Sequence, residues 1–126
     1  MIKLSKNQIL MLHAMTIKQS GGLDGVRDYG LFDMALQAPF QTFDNSELYP
    51  SIQSKAARLC FSIISNHPFV DGNKRIGILA MLVFLDINQV MINGSNQDII
   101  ELGLGVASGK IDSDYIMDWI ITHNNS

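Results

Sequence analysis

The chain has 126 residues, of which 47% are apolar and 17% charged, and carries a net charge of −3 at pH 7. That size and apolar share fit one domain with a core of its own and argue against a disordered chain. The acidic balance and the absence of a Lys/Arg run argue against nonspecific nucleic-acid binding and a basic membrane patch, and a single cysteine, Cys60, fits a reducing compartment.

The opening run Met1-Ile2-Lys3-Leu4-Ser5-Lys6 has no signal-peptide pattern, and no apolar run approaches the roughly 20 residues of a membrane span. A cytoplasmic protein without membrane association is therefore expected. Ser5 with Gln8 forms a capping box and predicts a helix to about Ser20, stopped by Gly21-Gly22. Asp24 to Asp28 reads as a polar loop. A short helix is predicted over Gly30 to Ala38, ending before Pro39. Gln41 to Tyr49 has no clear period and reads as a loop or a short hairpin. Pro50 suits the first turn of a third helix, in which Ile52, Ala56, Leu59, Cys60, Ile63 and Ile64 recur at helical spacing. It should end near Asn66, because Pro68 disfavours helical geometry just before it.

A fourth helix is predicted from about Asn73 to Asn88. Ile76, Leu79, Ala80, Val83, Phe84 and Ile87 form one face, and Ile78, Met81, Leu82 and Leu85 make the others apolar too. A helix apolar all round belongs at the centre of its domain, with Leu79, Val83 and Phe84 buried. Ser95 with Asp98 opens a fifth helix to about Ser108. Asp112 or Ser113 opens a sixth, with Tyr115, Ile116, Trp119 and Ile120 as its buried stripe. No alternating run is long enough to predict a strand. The expectation is an all-α fold: a single compact domain of about six helices over residues 1–126.

The chemistry concentrates in His67-Pro68-Phe69-Val70-Asp71-Gly72-Asn73-Lys74-Arg75, where two predicted helices meet. A helix's first turn offers unpaired N–H groups and partial positive charge, which favour a bound phosphate. Gly72 lets the backbone approach closely, Asn73 brings an amide donor, Lys74 a point charge and Arg75 a planar fork. Asp71 is a candidate Mg²⁺ ligand, and neutral His67 can accept a proton. Singly, each residue has an ordinary structural reading: a histidine before proline is commonly a loop residue, and Asp-Gly is a common turn. Two cations at the positive end of a helix are, however, locally unfavourable unless an anion offsets them. Jointly the run reads as a nucleotide-phosphate site beside a general base.

This run resembles the signature of the Fic/Doc family: His-Pro-Phe, any residue, an acid, then Gly-Asn-Gly-Arg, with a second Arg three positions on. Lys74 stands where adenylyl-transferring members have Gly, and Ile78 where they have the second Arg. Both departures resemble the Doc (death-on-curing) branch, as do Gly21-Gly22 and the stretch Gly25-Val26-Arg27-Asp28 through Leu31. The resemblance implies a Fic/Doc-like fold with the motif loop at the N-terminus of a central helix. It implies the toxin of a bacterial toxin–antitoxin pair, a protein kinase that transfers the γ-phosphate of ATP to a threonine of translation elongation factor Tu. His67 would deprotonate the target hydroxyl and Asp71 would bind Mg²⁺. Gly72, Asn73, Lys74 and Arg75 would hold the phosphates, and Phe69 would anchor the loop in the core. The partners implied are a Phd-like antitoxin, docked by a helix or tail in an apolar groove, and elongation factor Tu. The alternatives are a Fic-type adenylyl or nucleotidyl transferase and a weakly active antitoxin-binding module.

Other residues attract less chemistry. His13 and His123 lack partners at ligand spacing and read as structural or exposed. Cys60 reads as a packed thiol and Trp119 as a core anchor. Arg27 and Asp28 could pair near the site or on a surface loop. Residues 41–49 correspond to the part of Fic folds that covers the site and aligns the target, so Phe40, Phe43 and Tyr49 are candidate partner contacts.

Overall fold

In the computed structural model, which describes residues 1–124, the chain is helical with one small hairpin. The helices are α1 (Lys6–Ser20), α2 (Tyr29–Gln37), α3 (Ile52–Asn66), α4 (Asn73–Ile87), α5 (Asn96–Ala107) and α6 (Ser113–Thr122). A 3₁₀ turn covers Ala38–Phe40, and the strands β1 (Thr42–Phe43) and β2 (Ser46–Glu47) pair antiparallel.

The helix boundaries follow their caps. Reciprocal capping boxes open α1 at Ser5 and α5 at Ser95, and Asp112 caps α6. The sequence reading missed two caps. Asp28 caps α2 by accepting from Leu31 N at 3.0 Å, so the helix begins a residue before Gly30. Ser51 and Ser54 form the box that opens α3, which leaves Pro50 outside the first turn. Pro39 does not end a helix abruptly but sits in the 3₁₀ turn. Asp44 and Asn45 both have positive φ, as a tight two-residue hairpin turn requires. The hairpin is tied to α3 by buried Lys55, whose ammonium meets the Glu47 carboxylate at 3.0 Å and the Tyr49 carbonyl.

One core runs from Ile9 in α1 to Ile120 in α6. Its centre is the pair α3 and α4, and α3 also packs against α2, α5 and α6. The two cross closely at Gly77, where an added Cβ would lie 2.6 Å from Ile64 Cγ1. The expectation of a fully buried α4 is corrected in part. Ile76, Ile78, Ala80, Met81, Phe84 and Leu85 are buried, but Leu79, Leu82, Val83 and Ile87 are only half-buried. Flanking helices α1 and α5 do not close over those side chains, which instead line two apolar grooves. In α6, Ile116 and Ile120 are buried as a stripe, whereas Tyr115 is exposed and Trp119 is half-buried, stacked on His123. A narrow stripe suffices because α6 packs mainly against α3.

Candidate active site

Seven motif residues, His67 and Val70 to Arg75, line one open cavity of about 460 Å³. Two helix ends build it. The last turn of α3 closes with His67 N–H donating to the Ile63 carbonyl, and His67 itself is left-handed (φ 55°, ψ 51°). That conformation is uncommon for a residue with a side chain. Here it turns the chain out of α3 and leaves the His67 ring exposed at the cavity. The following Phe69 is fully buried. It stacks on His13 with ring centroids 3.8 Å apart and meets the edge of Phe32 at 5.1 Å.

The loop then reverses into α4 through Gly72, whose φ of +79° suits glycine. A Cβ there would approach Ile17 Cδ1 to 3.2 Å and the Arg75 guanidinium to 3.4 Å. Among the described residues, α4 is the α-helix without a side-chain cap at its start. Its first backbone bond is Ile76 N–H to the Gly72 carbonyl. The preceding amides of the first turn therefore remain available to an anion at the cavity.

Each motif side chain has a distinct position. Lys74 is exposed. Arg75 is half-buried and donates to the carbonyls of Gly21 at 3.1 Å and Thr16 at 3.5 Å, so part of its fork closes the end of α1. Asp71 accepts from Leu23 N–H through Oδ2 at 2.8 Å, and no protein donor meets its other carboxylate oxygen among the described residues. No cluster of three or more metal-ligating side chains occurs among those residues. One half-satisfied carboxylate beside an open cavity suits Mg²⁺, which takes few protein ligands and completes its shell with nucleotide oxygens and water.

Asn73 has a structural role beside its place in the cavity lining. Its side chain is buried and committed to the loop: Phe69 N–H donates to Oδ1 at 2.9 Å, and Nδ2 donates to the Phe69 carbonyl at 3.0 Å. The amide that the sequence offered to a phosphate staples the motif across its own turn.

The sequence reading did not foresee the partners of two residues outside the run. His13 was read as structural or exposed, without a partner at ligand spacing; it is structural and buried, with Nε2 2.7 Å from the Asp71 carbonyl and Nδ1 3.3 Å from the Asp24 carboxylate. A signal existed: Ile9, His13 and Ile17 stand at four-residue spacing on one face, and a polar residue on a buried stripe needs a polar partner. Arg27 and Asp28 do not pair with each other. Arg27 donates Nε to the His67 carbonyl at 2.8 Å and Nη2 to the Asn66 carbonyl at 3.2 Å, capping the end of α3. The backbone beside it straps the motif: Arg27 and Asp28 N–H donate to the Pro68 carbonyl, and Val70 N–H donates to Gly25.

Cys60 is fully buried, and desolvation pushes its thiol up to about 12, which suits packing and not nucleophilic work. Of the candidate partner contacts, Phe43 stands out from the hairpin, whereas Phe40 and Tyr49 are half-buried. Phe40 sits under Lys3 and Tyr49 under Arg58.

A profile of the Fic/DOC family matches residues 3–85, which contain the whole motif and its straps. The chain belongs to the Fic/DOC family. It is 28% identical over 115 residues to "Protein kinase doc" of Escherichia phage P1, covering 91% of this chain and 90% of that protein. It is 46% identical over 72 residues to "Toxin Doc" of Mycolicibacterium smegmatis, covering 57% of this chain. That match spans 55% of the mycobacterial protein, about half its length. Both relatives lie on the Doc side of the family, in agreement with Lys74 and Ile78.

Proposed function

We propose that this chain is a Doc-like protein kinase, the toxin of a toxin–antitoxin pair, which transfers the γ-phosphate of ATP to a threonine hydroxyl of translation elongation factor Tu. The observation that carries this reading is the cavity itself, lined by an exposed histidine, one carboxylate and two cations at an uncapped helix start. His67 takes the proton of the target hydroxyl as the new oxygen–phosphorus bond forms and the bond from the γ-phosphorus to the β–γ bridging oxygen breaks, releasing ADP. The free amides of the first turn of α4 receive phosphate oxygens, with Lys74 and the unused donors of Arg75 adding charge. Gly72 leaves their approach open. Asp71 is the ligand for Mg²⁺, which when bound neutralises charge on the nucleotide phosphates. Asn73 and Phe69 hold the loop in shape.

The names of the relatives support toxin and kinase as the class. The choice of phosphoryl over adenylyl transfer rests on Lys74 and Ile78. Lys74 fills the space a glycine would leave, and Ile78 is buried and removes a second cationic clamp. The nucleotide then lies differently, with another phosphorus in line with the nucleophile. The exposed hairpin presents the target segment. A Phd-like antitoxin docks in an apolar groove on the α4 surface; the α4–α5 groove, about 360 Å³, shares Lys74 and Arg75 with the site. No helix among the described residues is long and apolar enough to cross a membrane, and we place the protein in the cytoplasm as one domain.

The test is incubation with bacterial lysate and ATP labelled at either the γ- or the α-phosphate, with a His67→Ala control. Label from the γ position should enter a protein the size of elongation factor Tu only with intact His67. Transfer of α-label would overturn the kinase assignment in favour of nucleotidyl transfer. No transfer of either label would leave an antitoxin-binding module.

A further inference from the structure

We propose that His13 is a positioning residue for the motif loop, fixing the peptide at Asp71 and thereby the direction in which the Asp71 carboxylate faces the cavity. The role is built on the reading of Asp71 as the Mg²⁺ ligand.

A buried histidine is commonly just a satisfied core residue, and the geometry here separates the two cases. A carbonyl oxygen only accepts, so Nε2 carries the hydrogen and donates to Asp71 at 2.7 Å across 58 positions of sequence. The bonded atom belongs to the backbone of the proposed ligand itself, immediately before the left-handed Gly72. The same imidazole lies flat on Phe69, with 14° between the ring planes. His13 therefore holds the loop on both sides of Val70, once through an anchor ring and once through a peptide oxygen. The Leu23 N–H on Asp71 Oδ2 comes from the adjoining loop and fixes the carboxylate from one direction. Ile9 and Ile17 bury the same helix face and hold the imidazole against the loop. Partners that orient a metal ligand matter nearly as much as the ligand, and their loss typically weakens metal binding roughly 10- to 100-fold.

The experiment compares the wild-type chain with His13→Leu, His13→Gln and His13→Asn. Gln places an amide donor near the position of Nε2; Asn is too short to reach it. Two quantities are read on each folded variant: the Mg²⁺ concentration giving half-maximal ATP-dependent transfer, and amide hydrogen exchange across residues 69–75. His13→Leu and His13→Asn should raise the Mg²⁺ half-saturation roughly tenfold, with much of the rate recovered at saturating Mg²⁺. Exchange should quicken at Phe69 and Val70, whose amides are hydrogen-bonded in the loop, and His13→Gln should restore both. A His13→Leu protein that is merely less stable, with unchanged Mg²⁺ dependence and unchanged exchange in the loop, overturns the proposal. If His13→Leu does not fold, the Gln and Asn pair decides by the same criteria. If the wild-type chain transfers nothing, the proposed function fails separately. Exchange confined to the loop and reversed by Gln then still upholds the positioning role, and its absence removes it.

Discussion

Replacing Asn73 by alanine separates two roles that the motif assigns to one amide. In the structure the side chain makes both of its hydrogen bonds to the Phe69 backbone, at 2.9 and 3.0 Å, in a buried setting. Alanine leaves a buried N–H and a buried carbonyl without partners, each costing about 1–3 kcal/mol. Loop relaxation and an entering water recover part of this, so a net loss of about 3 kcal/mol is expected from the two groups together. Against a total stability of roughly 5–15 kcal/mol for a domain, that is a large fraction. Urea unfolding followed by circular dichroism should show a lower midpoint with an unchanged slope. Asn73→Asp is the companion variant: it keeps an acceptor for the Phe69 N–H but sets an oxygen against the Phe69 carbonyl, so it too should destabilise. A loss below about 0.5 kcal/mol for Asn73→Ala, within the range of an ordinary surface change, coupled to weaker nucleotide binding, would refute the staple and return Asn73 to the phosphates.

The other expectations concern single contacts. His67→Gly should leave stability equal or raise it by up to about 1 kcal/mol, because glycine adopts the left-handed cap without strain; the same change should lower transfer about 10²- to 10⁴-fold, and a clear fall in melting temperature would contradict the cap geometry. Gly77→Ala should cost about 1–3 kcal/mol through overpacking against Ile64, and a neutral result in thermal melts would show that the α3–α4 crossing is looser than it is drawn. Cys60 should resist a thiol reagent at pH 8 until the chain unfolds. Its folded pKa lies above the unfolded one, so above pH 9 the unfolded chain sheds a proton that the folded chain keeps. Stability should then fall by roughly 1.4 kcal/mol per pH unit between about 9 and 12, and a slope no steeper than that of Cys60→Ala would count against the burial.

Much of the fold was legible because caps and breaks are local. Ser5 with Gln8 and Ser95 with Asp98 announce their helices by spacing alone, and Pro68 marks the end of α3. The two missed caps have reasons as well. Ser54 is an unusual partner for a box, since the reciprocal residue is ordinarily Glu or Gln. Asp28 was read beside Arg27 as half of an ion pair, and nothing in two adjacent letters says which of them will meet a helix start. The degree of burial of α4 was not legible, because an all-round apolar pattern counts the residues able to be buried and not the neighbours present to bury them. Leu79, Leu82, Val83 and Ile87 face grooves that α1 and α5 border without filling. Those side chains are the surface on which the proposed antitoxin has most apolar area to gain.

The motif divides into residues that build the loop and residues left free by it, and spacing alone does not draw that line. Asn73 and Asp71 are both short polar side chains near a glycine. One is buried because Phe69 turns its backbone toward it; the other reaches the cavity because Leu23 and His13 hold it from behind. The deciding partners lie 48 and 58 positions away in sequence. A loop whose backbone groups are satisfied by Gly25, Arg27 and Asn73 can keep the His67 ring, a carboxylate oxygen and the first amides of α4 unpaired. Unpaired groups at a site are costly unless the surrounding structure fixes them. The Gly25–Asp28 strap, the Asn73 staple and His13 are that surrounding structure. They also explain why residues with no contact to a phosphate belong to the same constellation as those proposed to bind one.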